Sequence, residues 1–332
     1  MQDLQCQENA ITNNEQLWSF NKYEKKFQNQ IQNQSLRIEG NKHLKSLEFI
    51  RFCQITKLEL ENCKNVILKL ESQIIKSLNI IDCEISSIKD LQLENLEVLT
   101  IKNCYKIESK SLVFEIVKFK YLKELTLCNC VIDISPLSLT SLKHLYLHGC
   151  ELSCFAALRL YNLEKLKLIN NTGVEITSLQ FFTALTSLAL YSGDFVSVDA
   201  LRPLTKLQNL YINNKQIVYL QPLMEMKDLS DLSATNNYII DIELMQQHPN
   251  FKNFDLRHQK QPKQQQITEA NIQRAINAPI TTLKLMQHQK LQYNIQRNKF
   301  TEYIQKQYDR HSTFIARVAT ILYQMNNAEV DQ

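Results

Sequence analysis

The feature that most constrains this chain is a short leucine pattern, Leu-x-x-Leu-x-Leu, that recurs along most of its length. The second leucine of each copy, here called the anchor, falls at eleven positions: Leu36, Leu58, Leu78, Leu99, Leu125, Leu145, Leu166, Leu188, Leu210, Leu232 and Phe254. Subtracting neighbouring positions gives spacings of 22, 20, 21, 26, 20, 21, 22, 22, 22 and 22 residues. A near-constant period of this length predicts a solenoid, in which each repeat buries its apolar face against its neighbours.

Within each repeat the apolar residues alternate as they do along a β-strand. Apolar side chains stand at the anchor and two residues after it, as in Leu145 and Leu147, so the residues between them point to the opposite face. Five residues past the anchor most copies have Asn or Cys, and these positions, here called the ladder, include Asn41, Cys63, Cys83, Cys104, Cys130, Cys150, Asn171 and Asn237. Because the chain must turn there with its backbone groups in the interior, a small hydrogen-bonding side chain is favoured.

One stretch of the repeats carries a family resemblance. Residues 131–142, Val-Ile-Asp-Ile-Ser-Pro-Leu-Ser-Leu-Thr-Ser-Leu, resemble the 22-residue subclass of leucine-rich repeats, which includes the regulatory subunit of protein phosphatase 1 and the bacterial internalins. The Pro-Leu step recurs at 203–204 and 222–223. The resemblance covers residues 33–258 and implies an α/β solenoid, with a curved parallel sheet on the concave face and 3₁₀ or short helices on the convex face.

Three segments outside the strands are predicted to be helical. The repeat between Leu99 and Leu125 is about four residues longer than its neighbours, and helical spacing marks its outer half at Leu112, Ile116, Phe119 and Leu122. Residues 1–32 are predicted to form an N-terminal helical cap over the first repeat, with apolar residues at helical spacing at Leu17, Phe20, Tyr23, Phe27 and Ile31. Residues 259–332 are predicted to be a linker followed by a basic α-helical tail, broken at Pro279.

The basic tail leaves more than one interpretation open. Residues 259–332 contain ten Lys and Arg against five Asp and Glu, a surplus of +5, and a heptad seam runs through Ile304, Tyr308, His311, Ile315, Val318, Leu322 and Met325. The tail is first expected to pack back on the last repeat. The alternative is a seam for self-association or for a partner coiled coil. Calmodulin binding is not adopted, because the Ile-Gln pairs at 295–296 and 304–305 lack the basic spacing of an IQ motif.

Charge and composition argue against several classes of protein. The formal net charge is only +4, with 22% charged residues, which is far from the basic footprint of a nucleic-acid binder. No apolar run reaches the roughly 18 residues of a membrane-spanning helix, and the first residues lack the basic and apolar regions of a secretory signal. The nine cysteines are odd in number, and five belong to the ladder, which favours free thiols over a disulfide framework. We therefore expect a cytoplasmic protein.

Side chains that flank the core leucines define a predicted binding face. One and three residues past the anchors of four neighbouring repeats stand Tyr146, His148, Lys167, Ile169, Tyr191, Tyr211 and Asn213, here called the central patch. Neighbouring strands lie about 4.8 Å apart, so these residues are predicted to form one surface. Tyrosines offer a large, rigid contact area with a polar tip, although exposed tyrosines on strands also follow from β-propensity alone.

No metal site, cofactor or catalytic residue is predicted. Cys128, His144 and His148 fall on one face. The close pair Cys128 and Cys130, however, is not followed by the second close cysteine pair that a zinc pattern needs. The four glycines are isolated and form no phosphate-binding loop, and no nucleophile with an ordered base stands out. We expect a non-enzymatic scaffold or adaptor that binds a protein partner on the concave face. The alternative is a regulatory subunit of an enzyme such as a protein phosphatase, and the thiol ladder disfavours an extracellular adhesin of the internalin type.

Overall fold

The computed structural model describes residues 10–11, 34–40, 47, 50, 54–64, 66–107, 109–129, 131–133, 137–153, 160–193, 195–267 and 269–270. Its strands, in chain order, are β1 (Ala10–Ile11), β2 (Ser35–Glu39), β3 (Lys57–Glu61), β4 (Leu70–Glu71), β5 (Ser77–Ile81), β6 (Leu91–Gln92), β7 (Val98–Lys102), β8 (Glu124–Cys128), β9 (Val131–Asp133), β10 (His144–His148), β11 (Glu151–Ser153), β12 (Lys165–Ile169), β13 (Ser187–Tyr191), β14 (Asn209–Tyr211), β15 (Asp231–Ser233) and β16 (Asn253–Asp255).

One twelve-stranded sheet runs through this part of the chain, in the order β1-β2-β3-β5-β7-β8-β10-β12-β13-β14-β15-β16. Every neighbouring pair is parallel, and equivalent positions of successive repeats face one another across the sheet. The eleven anchors thus stand side by side, from Leu36 opposite Leu58 to Leu232 opposite Phe254. The large parallel sheet predicted from the repeat is confirmed.

The inner face of the sheet forms the core. In β3, for example, Leu58 and Leu60 are fully buried, whereas Lys57, Glu59 and Glu61 alternate with them and reach solvent. All the anchors except Phe254 are buried. Because burying one leucine stabilises the fold by about 1.5–3 kcal/mol, this stacked column of anchors is a large part of what holds successive repeats together.

The segments that return from one strand to the next hold short elements of secondary structure. Two small parallel sheets pair β4 with β6 and β9 with β11. The helices in these returning segments include α1 (Ser109–Ile116), α2 (Ile242–Met245) and the 3₁₀ helices Ile176–Phe181, Asp199–Leu201 and Gln221–Glu225, and residues 264–267 beyond the last strand are also helical. The long repeat contains α1, which ends at Ile116 and so stops short of the buried Phe119 and Leu122. No helix in the described ranges is both long and apolar enough to cross a membrane.

In most repeats the residue four positions past the anchor, beyond the end of the strand, has a left-handed backbone, a feature that the sequence analysis did not predict. The φ angles at these positions lie between 50° and 64°, at Gly40, Asn62, Asp82, Asn103, Asn129, Gly149, Asn170, Asn214, Asn236 and His258. Gly and Asn tolerate this conformation better than other residues. The eighth repeat differs, because its left-handed residue is Gly193, with a φ of 79°. The turn there comes one residue later, and Ser192 takes up the inward position.

The ladder side chains lie directly behind these turns. Cys63, Cys83, Cys104, Cys150, Asn171 and Asn237 are all buried, whereas Asn41 and Cys130 lie outside the described residues. Asn171 Oδ1 accepts a hydrogen bond from the Cys150 N–H at 2.8 Å, and Asn171 Nδ2 donates to the Leu147 carbonyl at 2.8 Å. The thiols act more weakly, as when Cys104 donates to the Lys102 carbonyl at 3.2 Å. Burial raises the pKa of Cys104 to about 11, so the thiol keeps the proton that it donates.

The two predicted ends are only partly within the described residues. The predicted cap helix lies outside them, but Ala10–Ile11 pairs with β2 and starts the sheet one strand earlier than the leucine pattern indicates. At the other end Phe254 is 45% exposed, because β16 is the edge strand of the sheet and no further strand among the described residues covers it. The heptad seam from Ile304 to Met325 lies outside the described residues, so the basic helical tail and its self-association stay predictions.

The ladder makes a prediction for stability. Replacing Asn171 with Ala removes both partners of the buried Cys150 N–H and Leu147 carbonyl, so we expect the free energy of unfolding to fall by about 3 kcal/mol. Urea unfolding followed by circular dichroism measures the change. The control is Asn162→Ala, which loses only an exposed hydrogen bond to the Thr140 carbonyl and is expected to cost less than about 1 kcal/mol. Equal losses for the two variants would contradict a structural role for the ladder.

Candidate functional site

The side of the sheet that faces away from the core, here called the exposed sheet face, carries the residues predicted to bind a partner. Strand β10 shows the local reason, because His144, Tyr146 and His148 are partly exposed while Leu145 and Leu147 between them are buried. A strand with apolar residues at every second position must place its other side chains on the opposite face. The same alternation extends through β12, where Lys165, Lys167 and Ile169 reach solvent.

The parallel register brings the central patch together. Tyr146 stands opposite Lys167, Lys167 opposite Ala189, and Ala189 opposite Tyr211, which forms one row across β10, β12, β13 and β14. A second row joins His148, Ile169 and Tyr191. Asn213 lies two residues beyond the end of β14, where its Oδ1 accepts hydrogen bonds from the Ser233 hydroxyl at 2.9 Å and the Thr235 N–H at 2.8 Å. The seven residues therefore occupy four neighbouring repeats.

Direct contacts hold part of the patch in place. The Lys167 ammonium lies 5.2 Å from the centroid of the Tyr146 ring, within the range of a cation–π interaction. The ring centroids of Tyr146 and His148 are 6.4 Å apart, with planes 21° from parallel. These contacts place Tyr146 between a cation and an imidazole, which limits the conformational entropy that it would lose on binding.

A depression with a volume of about 430 Å³ lies over the middle of this face. Four members of the central patch line it, Tyr146, Lys167, Tyr191 and Tyr211, whereas His148, Ile169 and Asn213 do not. The remaining polar lining comes from Glu124, Thr126, His144, Lys165 and Ser187, with the small Ala189 in the row between Lys167 and Tyr211. The depression thus covers the N-terminal halves of the strands more than their C-terminal ends.

Sequence reasoning missed one column of this site. It followed the positions one and three residues past each anchor, but Glu124, His144, Lys165 and Ser187 stand one residue before the anchor and point the same way, as a period of two requires. The signal was therefore present in the sequence. The sequence did not indicate the role of Ala189, because a short side chain forms a depression only where larger side chains surround it in the folded protein.

Burial and hydrogen bonding set the protonation of the lining. Partial burial raises the pKa of Tyr146 and of Tyr191, so both phenols remain protonated hydrogen-bond donors well into the alkaline range. Glu124 Oε1 lies 3.0 Å from His144 Nδ1, which orients that imidazole. Burial also raises the pKa of Cys128, which stands opposite His148, and a protonated thiol is a poor metal ligand.

The comparisons with known proteins bear on the fold. No protein-family model and no curated protein matches the chain. Among solved structures, an internalin (inlF) from Listeria monocytogenes str. 4b F2365 matches with a TM-score of 0.55 and 21% sequence identity, over 72% of this chain and 71% of that chain. Internalin C2 (inlC2) from the same strain matches with 19% identity over 65% of this chain and 77% of that chain, but its TM-score of 0.32 is too low to carry an argument.

The fold is that of a leucine-rich-repeat solenoid. The internalin match and the long parallel sheet with few helices agree on this point. An identity of 21% extends the likeness to the path of the backbone and no further. The functional chemistry of this solenoid must therefore be argued from the side chains on its own exposed sheet face.

The tyrosines of the site give a prediction for alkaline pH. In the double variant Tyr146→Phe/Tyr191→Phe, the phenolate absorbance lost relative to the wild type should have its midpoint above pH 10.0, the ordinary phenol value, because burial disfavours the ionised form. The pKa of each phenol is higher in the folded state than in the unfolded state. The wild type therefore loses stability as the pH rises from the unfolded-state pKa through the folded-state pKa, and the double variant should lose less. Alkaline spectrophotometric titration and urea unfolding measure the two effects. A midpoint at or below 10.0 would contradict the burial of these phenols.

Proposed function

We propose that this solenoid is a non-enzymatic scaffold or adaptor that binds a protein partner on its exposed sheet face. The single observation that carries the proposal is the central patch, in which three tyrosines and a lysine line a depression on the exposed sheet face. Partly buried tyrosines with rigid neighbours are the residues on which binding energy concentrates in protein interfaces. The strands beneath them belong to the core and give the patch a fixed geometry.

The arrangement of polar groups favours binding over catalysis. Glu124 and His144 are paired, and Ser187 lines the same depression, so the three residue types of a serine triad are near one another. Ser187, however, lies two strands from His144, with Lys165 between them. That separation is roughly 9.6 Å at the usual strand spacing, against the roughly 3 Å that proton transfer needs. These groups are better suited to contact a ligand than to transform it.

The proposed function predicts the effect of removing the three tyrosines. Tyr146→Ser/Tyr191→Ser/Tyr211→Ser should abolish capture of the partner, because each change removes a large contact area from the centre of the interface. The chain offers a matched control in Tyr105, Tyr121 and Tyr161, which are 75%, 60% and 57% exposed and lie outside the sheet. Their replacement with Ser should leave capture unchanged.

The measurement is affinity capture with the wild type and both triple variants, followed by quantitative mass spectrometry. The partner is a protein retained by the wild type and the control variant but lost with the sheet-face variant, while circular dichroism shows all three folded. Capture that survives the sheet-face variant would overturn the proposal. A catalytic subunit among the proteins lost would make the scaffold a regulatory subunit, such as that of a phosphatase.

We further propose that the protein works in a reducing compartment, such as the cytoplasm. The support is chemical: the thiols of Cys63, Cys83, Cys104, Cys128 and Cys150 are all buried. Ladder thiols that donate to backbone carbonyls hold the turns together, and oxidation would remove those donors.

This proposal predicts the oxidation state of the ladder in cells. When cells are lysed in denaturant with an alkylating reagent already present, Cys63, Cys83, Cys104 and Cys150 should be alkylated without prior reduction. Peptide mass spectrometry of samples with and without a reducing step measures the fraction. Ladder cysteines that become reactive only after reduction would place the protein in an oxidising compartment instead.

A further inference from the structure

The charged side chains at the two ends of the exposed sheet face are paired within the protein. At the N-terminal end Arg37 contacts Glu61 directly, and its Nε lies 3.3 Å from Glu59 Oε1. At the C-terminal end Arg257 Nη2 lies 2.8 Å from Asp255 Oδ2, and this hydrogen bond lowers the pKa of Asp255 to about 2. These charges already have internal partners, so a ligand gains little from them.

The cations at the centre of the face are arranged differently. Lys165 and Lys167 are both exposed and line the depression. Within the described residues neither ammonium has a carboxylate within 4.0 Å, and the adjacent Glu164 is itself paired with Lys143 at 2.7 Å. Side chains two residues apart on one strand face stand about 7 Å from each other. Two like charges at that distance repel, and an anion between them would relieve the repulsion.

Hydrogen-bond donors surround the same point. Tyr191, Tyr211 and Ser187, which each carry a hydroxyl, line the depression, and burial, together with the neighbouring Tyr211, keeps the Tyr191 phenol protonated by raising its pKa. The carboxylate that lines the depression, Glu124, is engaged with His144 at 3.0 Å. With Thr126 and Tyr146, the residues that line the depression carry two ammonium groups and five hydroxyls, which suits a group with several acceptor oxygens and a negative charge.

We propose that the depression between Lys165, Lys167 and the Tyr191–Tyr211 pair binds a carboxylate of the partner, within a short acidic segment laid across the strands. This inference rests on the proposed function and names the chemistry of the partner.

The distribution of charge along the face favours a short acidic segment over a long one. Acidic side chains stand on both sides of the lysines, with Glu59 and Glu61 towards one end and Asp231 and Asp255 towards the other. A long polyanion such as a nucleic acid, or an anionic membrane surface, would meet these carboxylates and be repelled. One or two acidic residues within an otherwise neutral or basic segment complement the pattern, since carboxylates outnumber the cations at each end, with Glu39, Glu59 and Glu61 against Arg37 and Lys57, and Asp231 and Asp255 against Arg257.

The experiment uses the full-length protein and a phage-displayed library of random peptides of about ten residues, long enough when extended to cross β10, β12, β13 and β14. Peptides selected on the wild type should be enriched in Asp and Glu. A synthetic copy of the best binder should lose at least about tenfold in affinity when its acidic residues are changed to Gln. It should lose as much when wild-type protein is replaced by Lys165→Gln/Lys167→Gln, and its association should slow as salt is raised.

A matched control separates this site from general charge. Lys206→Gln/Lys227→Gln removes the same two charges from exposed positions outside the sheet and should bind the peptide as the wild type does. Circular dichroism on both lysine variants shows that the fold is retained. Because the lysines are exposed, neither change disturbs the core.

Each outcome decides between the proposals. A neutral or basic consensus, or equal affinity for the wild type and Lys165→Gln/Lys167→Gln, would overturn the carboxylate site. If neutral or basic peptides bound the wild type but not the Tyr146→Ser/Tyr191→Ser/Tyr211→Ser variant, the proposed function would stand although the carboxylate site would not. Absence of any peptide selective for the wild type over the tyrosine variant would count against both. Binding of phosphatidylserine vesicles that depends on the two lysines, with no acidic preference among peptides, would assign the face to a lipid surface and overturn the inference.

Discussion

Satisfying the backbone at the turn after each strand is the constraint on which the rest of this structure depends. The chain leaves the sheet through a left-handed residue such as Asn62 or Asn103, and the ladder side chain then bonds to the peptide groups left behind. Each buried peptide group without a partner would cost about 1–3 kcal/mol. Since this bonding between turn and ladder side chain is repeated in nearly every coil, it determines how one repeat is placed on the next.

The register that follows from these turns aligns the side chains of the exposed sheet face without further specification. Because the anchors pair one to one, residues at a fixed distance from the anchor must line up, and this alone places Tyr146, Lys167 and Tyr211 in one row. The interior columns can stay apolar while the exposed columns vary freely. A solenoid thus separates the residues that define the fold from those that choose the ligand.

What the sequence could predict follows from the same separation. The anchors, their parallel register and the inward ladder are properties of a repeated period, so they were readable from spacing alone. The column of left-handed Asn, Asp and Gly residues was equally periodic but went unused. The eighth repeat shows the limit of a fixed offset: counting five residues from Leu188 reaches Gly193, whereas the structure slips by one and uses Ser192.

Properties that depend on neighbours in space were not readable from the sequence. Whether a lysine is paired depends on side chains some twenty residues away, so Lys165 and Lys167 look the same in sequence as Lys123, which contacts Glu97 at 2.7 Å. The exposure of Phe254 likewise follows from its place at the end of the sheet, not from its own repeat.

The composition of the ladder gives the two halves of the solenoid different cohesion. Thiols at Cys63, Cys83, Cys104 and Cys150 form weak hydrogen bonds, whereas the amides of Asn171 and Asn237 each accept from a backbone N–H and donate to a carbonyl of the preceding repeat. Local opening begins where bonding is weakest. The changeover lies between β10 and β12, directly beneath Tyr146 and Lys167. The surface proposed to bind a partner therefore spans the step from thiols to amides in the ladder, and a partner bound across it would tie the more weakly bonded coils to the more strongly bonded ones.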